Sequence, residues 1–114
     1  MTPEGAILKA VLDYLAARKI LAFRMNTGAM SGEHNGKRWF MRFGAQGMAD
    51  VLAFPHVWRE DNADMLIIAP LWLEVKTAKG KQSPAQKEFQ AMVEADGHQY
   101  AVVRSVEDLI EALK

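Results

Sequence analysis

Leu71-Trp72-Leu73-Glu74-Val75-Lys76 is a strong strand pattern. With a period of two, Leu71, Leu73 and Val75 share one face and Trp72, Glu74 and Lys76 share the other, so the glutamate and the lysine project together. Downstream, Thr77 to Gln82 reads as a basic, glycine-containing loop. Ser83-Pro84-Ala85-Gln86 then sets cap, first-turn proline and N3 glutamine in the order of a capping box. The helix it opens should run to about Asp96, with Gly97 ending it. His98 to Val103 predicts another strand, and Ser105-Val106-Glu107-Asp108 caps a last helix through Leu113.

Upstream, Met65 to Ile68, followed by Pro70, reads as a short strand or edge segment, and residues 55–64 are polar and turn-like. Met48 to Phe54 is a strand candidate whose only charge, Asp50, sits among apolar neighbours, with Gly44 and Gly47 bracketing a turn before it. Lys37 to Phe43 and Ile20 to Met25 read as two further strands. Between them, Asn26-Thr27-Gly28, Ser31-Gly32 and Asn35-Gly36 supply the turn chemistry of an irregular loop. Residues 3–18 gather Ile7, Leu8, Val11, Leu12 and Leu15 on one helical face, with Thr2 placed to cap and Pro3 suited to the first turn. The order is α-β-β-β-β-α-β-α, an α/β chain with no repeat, linker or low-complexity tract.

The 114 residues carry 14 Lys+Arg against 14 Asp+Glu, no Cys, and a 50% hydrophobic content, which describes a single domain over residues 1–114. A neutral chain does not coat nucleic acid by bulk charge, so any such contact must be local. No apolar run approaches the roughly 20 residues that cross a bilayer, and Met1-Thr2-Pro3-Glu4 lacks the basic start of a signal peptide. The expectation is a cytoplasmic protein with no membrane partner.

A lone aspartate in an apolar strand, followed by Glu-x-Lys in a second strand, is the pattern that carries chemistry. Two carboxylates about 4 Å apart repel by roughly 4 kcal/mol at an effective dielectric of 20, so a site that pairs them needs a proton or a cation. Oxygen donors suit Mg²⁺ or Mn²⁺, whereas no Cys exists and His34, His56 and His98 show no zinc-type spacing. Such an ion activates water and offsets charge on a phosphodiester under attack. Lys76, on the face of Glu74, would orient the water, act as base, or stabilise the developing charge.

With these residues in view, the chain resembles the VRR-NUC family of the PD-(D/E)xK nuclease superfamily. The resemblance spans nearly the whole chain: Glu4 in the first helix, Arg24-Met25-Asn26-Thr27-Gly28, Gly47-Met48-Ala49-Asp50, Glu74-Val75-Lys76, and Gly80 to Gln86 opening the next helix. It implies a restriction-endonuclease-like core, with a central mixed β-sheet flanked by helices. It further implies that Asp50, Glu74 and the Val75 carbonyl ligate the metal, that Lys76 is the catalytic lysine, and that Glu4 and Gln86 complete the site. The family's proline before the aspartate is Ala49 here, which alters local backbone shape and keeps the carboxylate. Short standalone relatives occur in phages and bacteria and act as homodimers on branched DNA such as Holliday junctions. The expectation is therefore a metal-dependent endodeoxyribonuclease in a bacterial or phage-infected cell, with a role in DNA repair. The alternatives are a nuclease on flaps, ends or simple duplex, and a non-catalytic DNA-binding module of the same fold.

Plainer readings accompany several of these residues. An acidic Glu4 in a first helical turn is favoured by the helix dipole, and the capping box alone explains Gln86. Lys79, Lys81, Arg24 and Asn26 are the candidate nucleic-acid contacts, with Lys37, Arg38 and Arg42 as further cations. Trp39, Trp58 and Trp72 have the chemistry to stack on bases, but burial is the simpler explanation for Trp72.

Overall fold

The Thr2 hydroxyl accepts the Gly5 N–H at 3.0 Å, Pro3 takes the first turn, and α1 (Pro3–Ala17) follows. In the computed structural model, which describes residues 1–25, 29–42, 46–58 and 66–114, seven strands come next. They are β1 (Leu21–Arg24), β2 (Ala29–His34), β3 (Lys37–Arg42), β4 (Val51–Phe54), β5 (His56–Trp58), β6 (Leu66–Ile68) and β7 (Leu71–Val75). Helix α2 (Pro84–Ala95), strand β8 (Gln99–Val103) and helix α3 (Val106–Ala112) complete the chain.

β1, β4, β7 and β8 form a four-stranded mixed sheet in that order. The first two pairings are antiparallel, and β7 with β8 is parallel, the crossover between them carrying α2. The period of two in β7 divides its apolar side chains between two cores. On one face, Val11 and Leu15 of α1 and Leu109 of α3 pack on Val51, Ala53, Leu71, Leu73, Val75 and Val103. On the other face, Phe89 and Val93 of α2 pack on Ala49 and Trp72. Trp72 meets Phe89 edge-on with ring centroids 4.9 Å apart, and its indole N–H donates to His98 Nδ1 at 2.9 Å. The result is a mixed α/β fold with helices on both faces of the sheet. Among the described residues, no helix is long and apolar enough to cross a membrane.

The expected order of elements needs three additional strands. Ala29–His34, read as part of a loop, is β2, paired antiparallel with β3. Asn35 and Gly36 lie at φ +52° and +77°, the left-handed conformations that a tight hairpin turn requires, and the turn fixes the register of the two strands. Residues 56–58, read as turn-like, form β5 and pair with β6 at the position expected of a short strand. Residues 59–64 and Phe43, where further loop and strand were expected, lie outside the described residues.

Gly47 ties the turn before β4 to the start of α2. It sits at φ +75°, and a Cβ placed there would clash with the Ala85 carbonyl oxygen and lie 2.7 Å from the Gln86 nitrogen. Both atoms are helix backbone and have nowhere to go. Gly47→Ala is expected to lower stability by at least about 2 kcal/mol, because the left-handed strain alone costs of order 1–3 kcal/mol and the contact adds to it. Urea denaturation of the two proteins checks this.

Candidate functional site

The aspartate is aimed by an irregularity in strand pairing. Val51 is registered opposite Leu73, and the Asp50 N–H donates to the same Leu73 carbonyl at 3.1 Å, so two residues of one strand face one of the other. That is the arrangement of a β-bulge, which turns a side chain away from the regular alternation. On the opposite side the Asp50 carbonyl accepts the Met25 N–H at 2.7 Å, which holds the backbone against the β1 edge. The carboxylate reaches forward along β7, and its Oδ2 accepts the Val75 N–H at 2.8 Å.

Glu74 lies next to it, only 1% exposed. Burial, first, and then a hydrogen bond to Asp50 and the charge of that carboxylate push the Glu74 carboxyl up to about 8. Glu4 adds a smaller push in the same direction, while the Lys76 ammonium pulls the other way. A neutral Glu74 that donates its proton to Asp50 satisfies both groups. The two acids are therefore neighbours at the end of β7.

A chain of polar groups supports Glu74 from behind. The Tyr100 hydroxyl donates to Glu74 Oε1 across a long 3.5 Å, and Gln82 Nε2 donates both to the Tyr100 oxygen at 3.1 Å and to Gln90 Oε1 at 3.0 Å. Burial, followed by the Glu74 charge, pushes the Tyr100 phenol up to about 12. Neither Tyr100 nor Gln82 was assigned a role from the sequence. The signal that places Tyr100 there is the parallel register of β8, which sets Tyr100 opposite Trp72 and Val102 opposite Glu74, so Tyr100 shares the glutamate's face.

Asp50 and Val75 also line a cleft of about 220 Å³ that Thr2, Glu4 and Arg24 close from α1 and β1. Glu4 and Arg24 are thus brought to the site, Glu4 acting on Glu74 through charge and Arg24 exposed at the rim. Lys76 is half-buried just beyond β7, and Lys79 and Lys81 are exposed in the loop that follows. Gln86 has a different engagement: its Oε1 accepts the Ser83 N–H at 2.8 Å while its own N–H donates to Ser83 Oγ at 3.2 Å, which closes the capping box of α2. Those described hydrogen bonds account for Gln86 without the acids. Asn26 lies outside the described residues. Lys37 and Arg38 are exposed on β3.

Among the described residues, no group of three or more acidic or histidine side chains is arranged to hold a metal ion. The donors present are hard oxygens: two carboxyls in contact, one of them buried, with the Val75 carbonyl on the same strand end. A buried carboxyl pair keeps one proton unless a cation replaces it. Mg²⁺ and Mn²⁺ suit this set, since such ions bind through one or two carboxylates and retain several waters. The chain matches no family model, no curated protein and no solved structure.

Proposed function

We propose that this chain is a Mg²⁺- or Mn²⁺-dependent endodeoxyribonuclease of the VRR-NUC kind, with a restriction-endonuclease-like core. The observation that carries the reading is the placement of Asp50, whose Oδ2 accepts the Val75 N–H at 2.8 Å in a cleft shared with Glu4 and Arg24, beside the buried Glu74 of the same strand end. Asp50, Glu74 and the Val75 carbonyl would hold the ion, with Glu4 nearby in the cleft. When bound, the divalent ion supplies a lowered pKa for water and positive charge beside the phosphodiester oxygens. Asp50 keeps its carboxylate turned to the cleft through the Val75 N–H, and Tyr100 and Gln82 orient Glu74. Lys76 presents positive charge where negative charge builds on phosphorus, and its ammonium already acts on the Glu74 ionisation. Arg24, at the cleft rim, and the exposed Lys79 and Lys81 would contact the DNA backbone without reading its sequence.

The resemblance extends the proposal to branched DNA, four-way junctions above all, cut by a homodimer in a bacterial or phage-infected cytoplasm. Two opposed strands need two active sites related by a two-fold axis. A cleavage panel of four-way junction, flap, single strand and linear duplex, run with Mg²⁺, Mn²⁺ and EDTA, tests both levels. Paired symmetric nicks on the junction are expected. Digestion of duplex ends alone would remove the junction reading, and binding without cleavage of any substrate would leave a non-catalytic DNA-binding module.

Replacing Lys79 and Lys81 together with alanine is expected to weaken binding to every DNA structure by a similar factor. The slope of log K against log salt should flatten by about 1–2, since each lost phosphate contact accounts for roughly 0.9. Fluorescence anisotropy across a salt series measures it. A loss confined to one DNA structure would mean that these lysines read shape.

A further inference from the structure

The loop that follows the Glu-x-Lys strand is gripped from the neighbouring strand. The Lys76 N–H donates to the Val103 carbonyl at 3.0 Å, which continues the parallel β7–β8 ladder by one residue and leaves Arg104 next in line on β8. Two cations side by side would ordinarily repel. Instead the Arg104 guanidinium turns under the loop, where its NH1 donates to the Thr77 carbonyl at 2.6 Å and the Gly80 carbonyl at 2.7 Å, with the Ala78 carbonyl at 3.4 Å. The Gly80 N–H donates to the Thr77 carbonyl at 3.1 Å, so one carbonyl joins both ends of the turn to the guanidinium.

Arg104 is itself held. Its N–H donates to Asp108 Oδ2 at 2.8 Å, and the Asp108 N–H donates to Ser105 Oγ at 3.2 Å, which anchors its backbone to the start of α3. At the other end the turn begins directly after the catalytic candidate, and the Lys76 stem lies close beside Gly80: a Cβ added to that glycine would come within 3.4 Å of Lys76 Cδ and 3.2 Å of Thr77 Oγ1. Hydrogen bonds therefore run from α3 through Arg104 to the Thr77–Gly80 turn, which follows Lys76 directly along the chain and packs close to its stem. Carbonyl acceptors on a charged donor are among the stronger hydrogen bonds a loop can have.

We propose that Arg104 is a positioning residue: it fixes the shape of the Thr77–Gly80 turn and thereby sets where Lys76, Lys79 and Lys81 meet the nucleic-acid backbone. The catalytic part of this proposal rests on the nuclease reading, whereas the grip on the turn does not. Arg104→Met removes the guanidinium and keeps the apolar stem; Arg104→Lys keeps a cation that reaches less far toward the same carbonyls.

The test uses the full chain and two readouts. Amide hydrogen exchange over residues 76–82 should lose about tenfold protection in Arg104→Met, with exchange in β4 and β7 unchanged. On whichever DNA the parent cuts, kcat should fall by about tenfold while KM moves by less than about twofold, and Arg104→Lys should recover part of both losses, because small misplacements of a catalytic group cost this much or more. Unchanged exchange in Arg104→Met overturns the grip. Faster exchange with parental kcat overturns the positioning role, and an equal kcat loss in the lysine variant, without recovery, does the same. A parent chain that cuts no DNA overturns the nuclease reading instead, and the exchange rates then still decide whether Arg104 holds the turn.

Discussion

An Asp50→Asn protein is expected to fold like the parent and to lose metal-dependent cleavage by at least about 100-fold, the scale on which removing a preorganised electrostatic group acts. Asparagine is the informative choice because the aspartate has two tasks. Its Oδ2 accepts the Val75 N–H at 2.8 Å, and that N–H belongs to a fully buried stretch of β7. Alanine would orphan the donor at a cost of about 1–3 kcal/mol and confuse loss of chemistry with loss of fold. The amide oxygen of asparagine retains the hydrogen bond and removes the negative charge that would hold the ion. DNA binding measured in EDTA should be nearly parental, since a carboxylate contributes nothing favourable to a polyanion. Cleavage by Asp50→Asn at the parental rate would take Asp50 out of the metal site.

Glu74→Gln is expected to make the metal-free protein more stable at about pH 8, by several kcal/mol at most. The folded Glu74 carboxyl titrates at about 8 against an ordinary value of 4.5. Between these values the folded chain holds a proton that the unfolded chain has released. The contribution of Glu74 to stability is therefore fully present below the ordinary carboxylate range and is lost as pH rises toward about 8, at about 1.4 kcal/mol per pH unit for one proton. Glutamine stays neutral throughout, so this slope should vanish. Adding Mg²⁺ or Mn²⁺ to the parent near pH 8 should restore stability, because a cation then does what the proton no longer does, and should leave Glu74→Gln unaffected. Urea melts at about pH 5 and about pH 8, in EDTA and in divalent metal, give all four comparisons. Parental stability that rises between those pH values would mean that Glu74 is an ordinary ionised carboxylate.

Some of this site was legible before any coordinates. Glu74 stands on a strand whose alternation assigns every neighbour to a face, so its position beside Trp72 follows from counting by two. Glu4 and Arg24 were named from a resemblance, and they line the same cleft as Asp50. Gln86 was equally explained by a capping box, and the capping box is what its described hydrogen bonds form. Tyr100, Gln82 and Arg104 had no readable signal, because each acts on residues that are distant in sequence and adjacent only through the parallel pairing of β7 with β8. The hairpin of β2 and β3 went unrecognised for another reason. Its first strand, Ala29–His34, is rich in small and polar residues, and backbone pairing set by the Asn35–Gly36 turn makes it a strand without an apolar stripe to announce it.

The amino-acid order alone determined the helices, the sheet's principal strands and the presence of two acids and a lysine in or beside two apolar strand segments, because local periodicity and caps act within a few residues. The tertiary structure decided that the end of β4 lies against β7 so that Asp50 caps the Val75 N–H beside Glu74, that burial pushes the glutamate carboxyl upward, and that Arg104 grips the lysine-bearing turn. Those three properties depend on desolvation and on hydrogen bonds between residues 24 or more positions apart, and no local pattern encodes either.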